Sequence, residues 1–145
     1  MENKGLSVAD LQALVAPSHF HQLFAPQIIS VDNQRLELVL AVTMSECLER
    51  QPGTRQWHGG AISAVIDISG CYALCLGADG APPPTINFQT DYLRPAIDTD
   101  LTAHAHVRRA GRTAGVVDVD VVDSIERLVA VGRGCYSMRG GFSSR

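Results

Sequence analysis

Two features of this chain could act together on a carbonyl. One is the step His58-Gly59-Gly60; the other is a single carboxylate, Asp67, inside the apolar run that follows. Gly60 to Leu76 contains no proline, and its length fits a helix better than a strand. Two glycines at a helix start allow close approach of a ligand to free backbone N–H groups. Those amides, with the positive end of the helix dipole, favour an anion or a polarised carbonyl oxygen. Asp67 would then attack the carbonyl carbon directly or activate a water as general base. Neither a serine triad nor a metal set is visible, so the leaving group must be a good one, such as a thiolate.

The spacing restricts how these groups can meet. Asp67 lies eight residues after Gly59, roughly 12 Å along a helix axis at about 1.5 Å per residue. One helix cannot present both to the same small carbonyl. Two antiparallel copies can, which predicts a two-fold dimer with sites at its interface. Apolar residues fall on all sides of the run (Ile62, Val65, Ile66, Ile68, Leu74, Leu76), as in a buried helix. Ser63, Asp67, Cys71 and Cys75 recur at every fourth position and form one narrow polar or small stripe. Burying an ionised carboxylate without a partner is costly, so this stripe is expected to face a cleft. Gly60, Ser63 and Cys71 are candidates for contacting substrate there.

The elements that must hold this helix read as strands. Arg35 to Thr43 alternates, with Leu36, Leu38, Leu40 and Val42 on one side, and Gln27 to Val31 is a shorter preceding strand. Ser45 to Gln56 is a polar loop that delivers the chain to His58. After the helix come a Gly/Pro loop, Gly77 to Pro84, and four strands: Thr85 to Leu93, Leu101 to Val107, Ala114 to Val122 and Leu128 to Met138. Short connections imply antiparallel hairpins. Ser7 to Val15 and His19 to Phe24 read as helical turns, so residues 1–26 form a helical cover and 140–145 a flexible tail of one domain, 1–145. The expected class is α+β, an antiparallel sheet of five to six strands wrapped around one long central helix.

Composition excludes several functions. With 145 residues and a net charge of −3, the chain carries no polyelectrolyte patch for nucleic acid. Its polar start lacks the apolar core of a signal peptide, and Ser63, Asp67 and Ser69 interrupt its most apolar stretch. A cytoplasmic protein without a membrane span is expected. The four cysteines match no zinc pattern and read as small core residues. His104 and His106 share a strand face but lack a third ligand, and a solvated face is expected. With eleven arginines and one lysine, phosphate contacts fall to arginine; Arg108, Arg109 and Arg112 cluster at one hairpin. Trp57, Tyr72 and Phe88 are candidates for lining an aromatic pocket.

The run HGGAISAVIDISGCYA at 58–73, TINFQTDYLRPA at 85–96 and GRT at 111–113 resembles the hotdog-fold acyl-CoA thioesterases, above all their phenylacetate-pathway (PaaI-like) branch. The resemblance spans about residues 35–138. It implies a hotdog fold, homodimers with shared sites and homotetramers built from two dimers. It implies that the Gly59 amide polarises the thioester carbonyl and that Asp67 is nucleophile or base across the interface. Thr85 would help place the water, and His58 would orient the loop or the thioester. Arg109 and Arg112 become candidate coenzyme A contacts. Many relatives carry Asn six residues before the His; here that position is Pro52, and Gln51 is the candidate replacement. The implied substrates are aryl or medium-chain acyl-CoA esters, with no cofactor or metal beyond the coenzyme A of the substrate. Two readings compete: a non-catalytic acyl-CoA-binding module, and a hotdog hydratase or dehydratase, for which this helix lacks the Glu.

Overall fold

The computed structural model describes residues 5–78 and 81–139. The chain runs through α1 (Val8–Val15), α2 (His19–Gln22), β1 (Gln27–Asp32), β2 (Glu37–Val42), a 3₁₀ turn at Glu46–Leu48, and α3 (Gly59–Leu74), which tightens into a 3₁₀ turn at Cys75–Gly77. β3 (Thr85–Tyr92), β4 (Leu101–Ala110), β5 (Ala114–Asp123) and β6 (Leu128–Ser137) follow. The six strands form an antiparallel sheet in the order β1-β2-β4-β5-β6-β3, and it packs along α3 in the hotdog arrangement. Residues 140–145, expected to form a tail, lie outside the described residues, as do two positions of the Gly/Pro loop.

The core forms where period-2 strands meet a helix that is apolar on most faces. Leu38, Leu40 and Val42 of β2, Leu101, Ala103, Ala105 and Val107 of β4, and Val117, Val119 and Val121 of β5 are buried with Ile62, Val65, Ile66, Ile68 and Leu74 of α3. Each large aliphatic side chain buried here stabilises the fold by about 1.5–3 kcal/mol relative to exposure. By length and apolarity Gly59–Gly77 would suffice to cross a membrane, but here it is the helix around which this core is built.

Three local details differ from the pattern in the sequence. β2 begins at Glu37 because Leu36 takes a left-handed conformation, φ 53°. The stripe on α3 ends at Cys71, since the tightening at Cys75–Gly77 turns Cys75 fully into the core. Trp57 belongs to the core: it is 2% exposed and its indole N–H donates to the Thr99 carbonyl at 2.8 Å, anchoring the loop before α3 to the loop after β3. Tyr72 is likewise buried, donating to the Leu14 carbonyl under the N-terminal cover. Of the three aromatic candidates, Phe88 alone is exposed.

β3 is the sheet edge that borders the polar stripe of α3. Among the described residues it pairs only with β6, and its other side has no strand beside it. Nearly all of it is exposed, including Ile86, Phe88 and Tyr92. A bulge between Thr85 and Asn87 interrupts its alternation. Without it, Thr85 would point away from the face used by Thr90 and Tyr92. With it, all three side chains reach α3.

Candidate active site

The helix stripe and the edge strand are joined along their length by side-chain hydrogen bonds. The Cys71 thiol donates to the Pro83 carbonyl at 3.1 Å. The Thr85 hydroxyl donates to Asp67 Oδ1 at 2.8 Å. Ser63 Oγ donates to Thr90 Oγ1 at 3.0 Å and lies 2.6 Å from Tyr92 Oη. Tyr92 donates to the Gly59 carbonyl at 2.6 Å. The stripe residues Ser63, Asp67 and Cys71 are half-buried on an otherwise buried helix, so the expected open face exists and β3 borders it.

Asp67 is held in two ways. Thr85 fixes one carboxylate oxygen, while the Tyr136 hydroxyl donates to the Asp67 backbone carbonyl at 3.1 Å. Thr85 and Tyr136 are themselves paired across β3 and β6. Tyr136 is fully buried; burial, then the nearby Asp67 charge, pushes its phenol pKa upward, so it stays a neutral donor. Among the described residues, no Arg, Lys or His forms an ion pair with Asp67, and Oδ2 has no hydrogen-bond donor. An aspartate kept for structure would be expected to have a charged partner or a full set of donors. This one keeps an oxygen available.

The helix N-terminus divides its amides. His58 is the N-cap, and its Nδ1 accepts the Gly60 N–H at 2.9 Å. That bond places the proton of a neutral His58 on Nε2. The Ala61 and Ile62 amides bond the His58 carbonyl. Gly60, read from the sequence as a substrate contact, therefore has its amide engaged, and among the described residues the Gly59 N–H has no partner. Gln51 lies on an exposed turn of the preceding loop, where its carbonyl accepts from Thr54; it forms no hydrogen bond with His58, Gly59 or Asp67.

The remaining candidates are spread more widely. Burial chiefly, with Cys75 and Asp67 adding, pushes the Cys71 pKa up to about 12, so Cys71 is a neutral thiol on the stripe and no nucleophile. Arg112 lines a surface groove with Pro82, Pro83, Pro84, Met138 and Arg139, beside the Asp67 end of the stripe. Arg109 lies outside that groove, and Arg108 is committed to Asp118. His104 and His106 lie on the opposite face of the sheet with Asp118 and Asp120. The sequence marks Tyr92 only as the start of the Tyr-x-x-Pro strand end, and marks neither Thr90 nor Tyr136; the roles of all three depend on contacts bridging about thirty to seventy residues.

The sequence model described as "Thioesterase superfamily" matches residues 56–130, which include the His-Gly-Gly step, Asp67 and Thr85. The chain belongs to the thioesterase superfamily. Among similar members is the acyl-coenzyme A thioesterase PaaI of Escherichia coli K12, 33% identical over 115 residues, covering 79% of this chain and 78% of that protein. The human protein acyl-coenzyme A thioesterase 13 is 31% identical over 78 residues, covering 52% of this chain and 56% of its own. A solved thioesterase superfamily structure superposes with a TM-score of 0.84 at 30% identity, covering 91% of this chain and 98% of that one.

Proposed function

We propose that this thioesterase superfamily member hydrolyses acyl-CoA thioesters at a site shared between two copies of the chain. The observation that carries the reading is the pairing of a half-buried, cation-free carboxylate with an unpartnered helix amide, at opposite ends of one open edge strand. Thr85, at one end of β3, holds Asp67; Tyr92, at the other, holds Gly59. Antiparallel pairing of β3 with its own copy would bring the Asp67 end of one protomer beside the Gly59 end of the other, closing the separation of roughly 12 Å within one helix. Exposed Ile86 and Phe88 supply an apolar surface for that contact.

At such a site the Gly59 N–H and the α3 dipole hold the thioester oxygen as it gains charge. Asp67 Oδ2 either takes a proton from water as that water attacks, or attacks the carbonyl carbon itself and is later released by water. The C–S bond breaks and coenzyme A leaves as thiolate, to be protonated in solvent. His58 presents Nε2–H at the same helix end. Arg112 and Arg139, neither engaged in an ion pair among the described residues, offer charge for coenzyme A phosphates at the groove beside Pro83. Aryl or medium-chain acyl groups are the proposed substrates, with Phe88 as the aromatic side chain within reach of the interface. The resemblance extends this to a tetramer of two such dimers. The free cysteines Cys47, Cys71, Cys75 and Cys135 are in keeping with a reducing, cytoplasmic compartment.

The test is thiol release from a panel of phenylacetyl, hydroxybenzoyl, short, medium and long-chain acyl-CoAs, with wild type and Asp67→Asn run side by side. We expect turnover on at least one ester and a loss of about 10²–10⁴-fold in the variant. Binding without turnover across the panel would favour the non-catalytic binding module instead. Light scattering at assay concentration tests the shared site; an active monomer would rule it out.

A further inference from the structure

Tyr92 takes no part in the hydrolysis just described, yet its hydroxyl makes two short contacts. Its Oη donates to the Gly59 carbonyl at 2.6 Å and lies 2.6 Å from Ser63 Oγ, although the side chain is half exposed. The helix already supplies the Ser63 N–H to that carbonyl, so Tyr92 is not needed to satisfy it.

What the contact adds becomes clear from the peptide plane. The Gly59 carbonyl and the Gly60 N–H belong to one rigid peptide unit. His58 Nδ1 accepts from the N–H end of this unit at 2.9 Å, and Tyr92 donates to its carbonyl end. The unit is therefore clamped from both ends. Glycine has the widest freedom to pivot about its backbone dihedrals, and Gly59 and Gly60 follow each other here. Gly59 has no Cβ with which to restrict itself, and a Cβ added there would stand 3.3 Å from the Tyr92 ring. Fixing the plane after Gly59 restricts ψ of Gly59, and with it the direction of the Gly59 N–H on the other side of the same Cα.

We infer that Tyr92 is a positioning residue: it orients the Gly59 amide toward the thioester oxygen by holding the next peptide plane against His58. The inference rests on the reading of Gly59 as the carbonyl-holding group. It also gives β3 a double task, since the strand that would pair with the second copy is the strand that aims the amide.

Tyr92→Phe keeps the ring and removes the hydroxyl. With the best ester of the panel, kcat should fall by about 10-fold while KM stays within about twofold, as for an interaction made mainly in the transition state. The second arm needs no activity. Amide hydrogen exchange followed by NMR should be about 10-fold faster at Gly60 in the variant, as its clamp loosens, and unchanged at Ala73 in the buried part of α3. An unaltered kcat, or an unaltered Gly60 exchange rate, would overturn the role given to Tyr92. A rise in KM with a loss of stability, and Ala73 also exchanging faster, would mark Tyr92 as merely structural and overturn it too. A wild type inert on every ester would defeat the thioesterase reading while the exchange measurement still decides the clamp.

Discussion

The Thr85 hydroxyl and the Asp67 carboxylate, 18 residues apart, share one hydrogen bond of 2.8 Å. Because that hydroxyl has a single proton, it holds Oδ1 and leaves Oδ2 without a donor among the described residues. Thr85→Val preserves shape and removes the donor. A hydrogen bond to a charged group contributes about 1.5–3 kcal/mol, so kcat should fall by about 10–100-fold. Thr85→Ser should recover most of the loss. A valine variant turning over at the wild-type rate would show that Asp67 needs no such support.

A shared site predicts complementation. Asp67→Asn and Gly59→Val should each be inactive alone. Unfolded together and refolded, they form hybrids in which an intact Asp67 faces an intact Gly59 at one of the two sites. Random reassortment puts half of all dimers in hybrids, so activity should recover to about a quarter of the wild-type level. A mixture as inactive as its components would place the whole site within one chain.

Gly70 and Tyr136 set the position of Asp67 on α3. A Cβ on Gly70 would come within hard contact of the Tyr136 hydroxyl, the group that bonds the Asp67 carbonyl. Gly70→Ala should destabilise the protein by about 1–3 kcal/mol, as overpacking does. Combined with Tyr136→Phe, it should cost less than the sum of the two single changes. Urea midpoints for the four proteins of this cycle measure the coupling, and strict additivity would disprove the contact.

Much of this arrangement is legible in the residues themselves. A helix apolar on most faces, interrupted by one carboxylate, announces both a core element and a cleft. The strand periods of residues 27–42 and 101–137 give the sheet. The lone Asp67 and the glycine pair stand out because neither suits a buried helix without a reason. Other parts were hidden for a physical cause. Tyr92 and Tyr136 alternate like any strand aromatic, and only three-dimensional proximity reveals that their hydroxyls reach α3. Trp57 looked like a ring for lining a pocket, but its N–H has a backbone partner 42 residues away. The bulge that turns Thr85 toward Asp67 leaves no mark in the hydrophobic pattern. Gly60 and Gln51 were read by type, and type does not show which amide a histidine cap will occupy.

The two edges of the sheet are finished differently. Along β1, a bulge between Ile28 and Ser30 disrupts the ladder, and the Gln12 side chain from α1 takes the Ile28 N–H at 2.8 Å and the Pro26 carbonyl at 3.0 Å. Gln12 thus stands where a neighbouring strand would bind. Among the described residues β3 has no such cover. A molecule with two adhesive edges could add copies without limit and grow into fibres; one with a single adhesive edge ends its growth at the first partner. The glutamine in α1 thereby closes one edge of the sheet and leaves β3 as the edge at which a second copy could add.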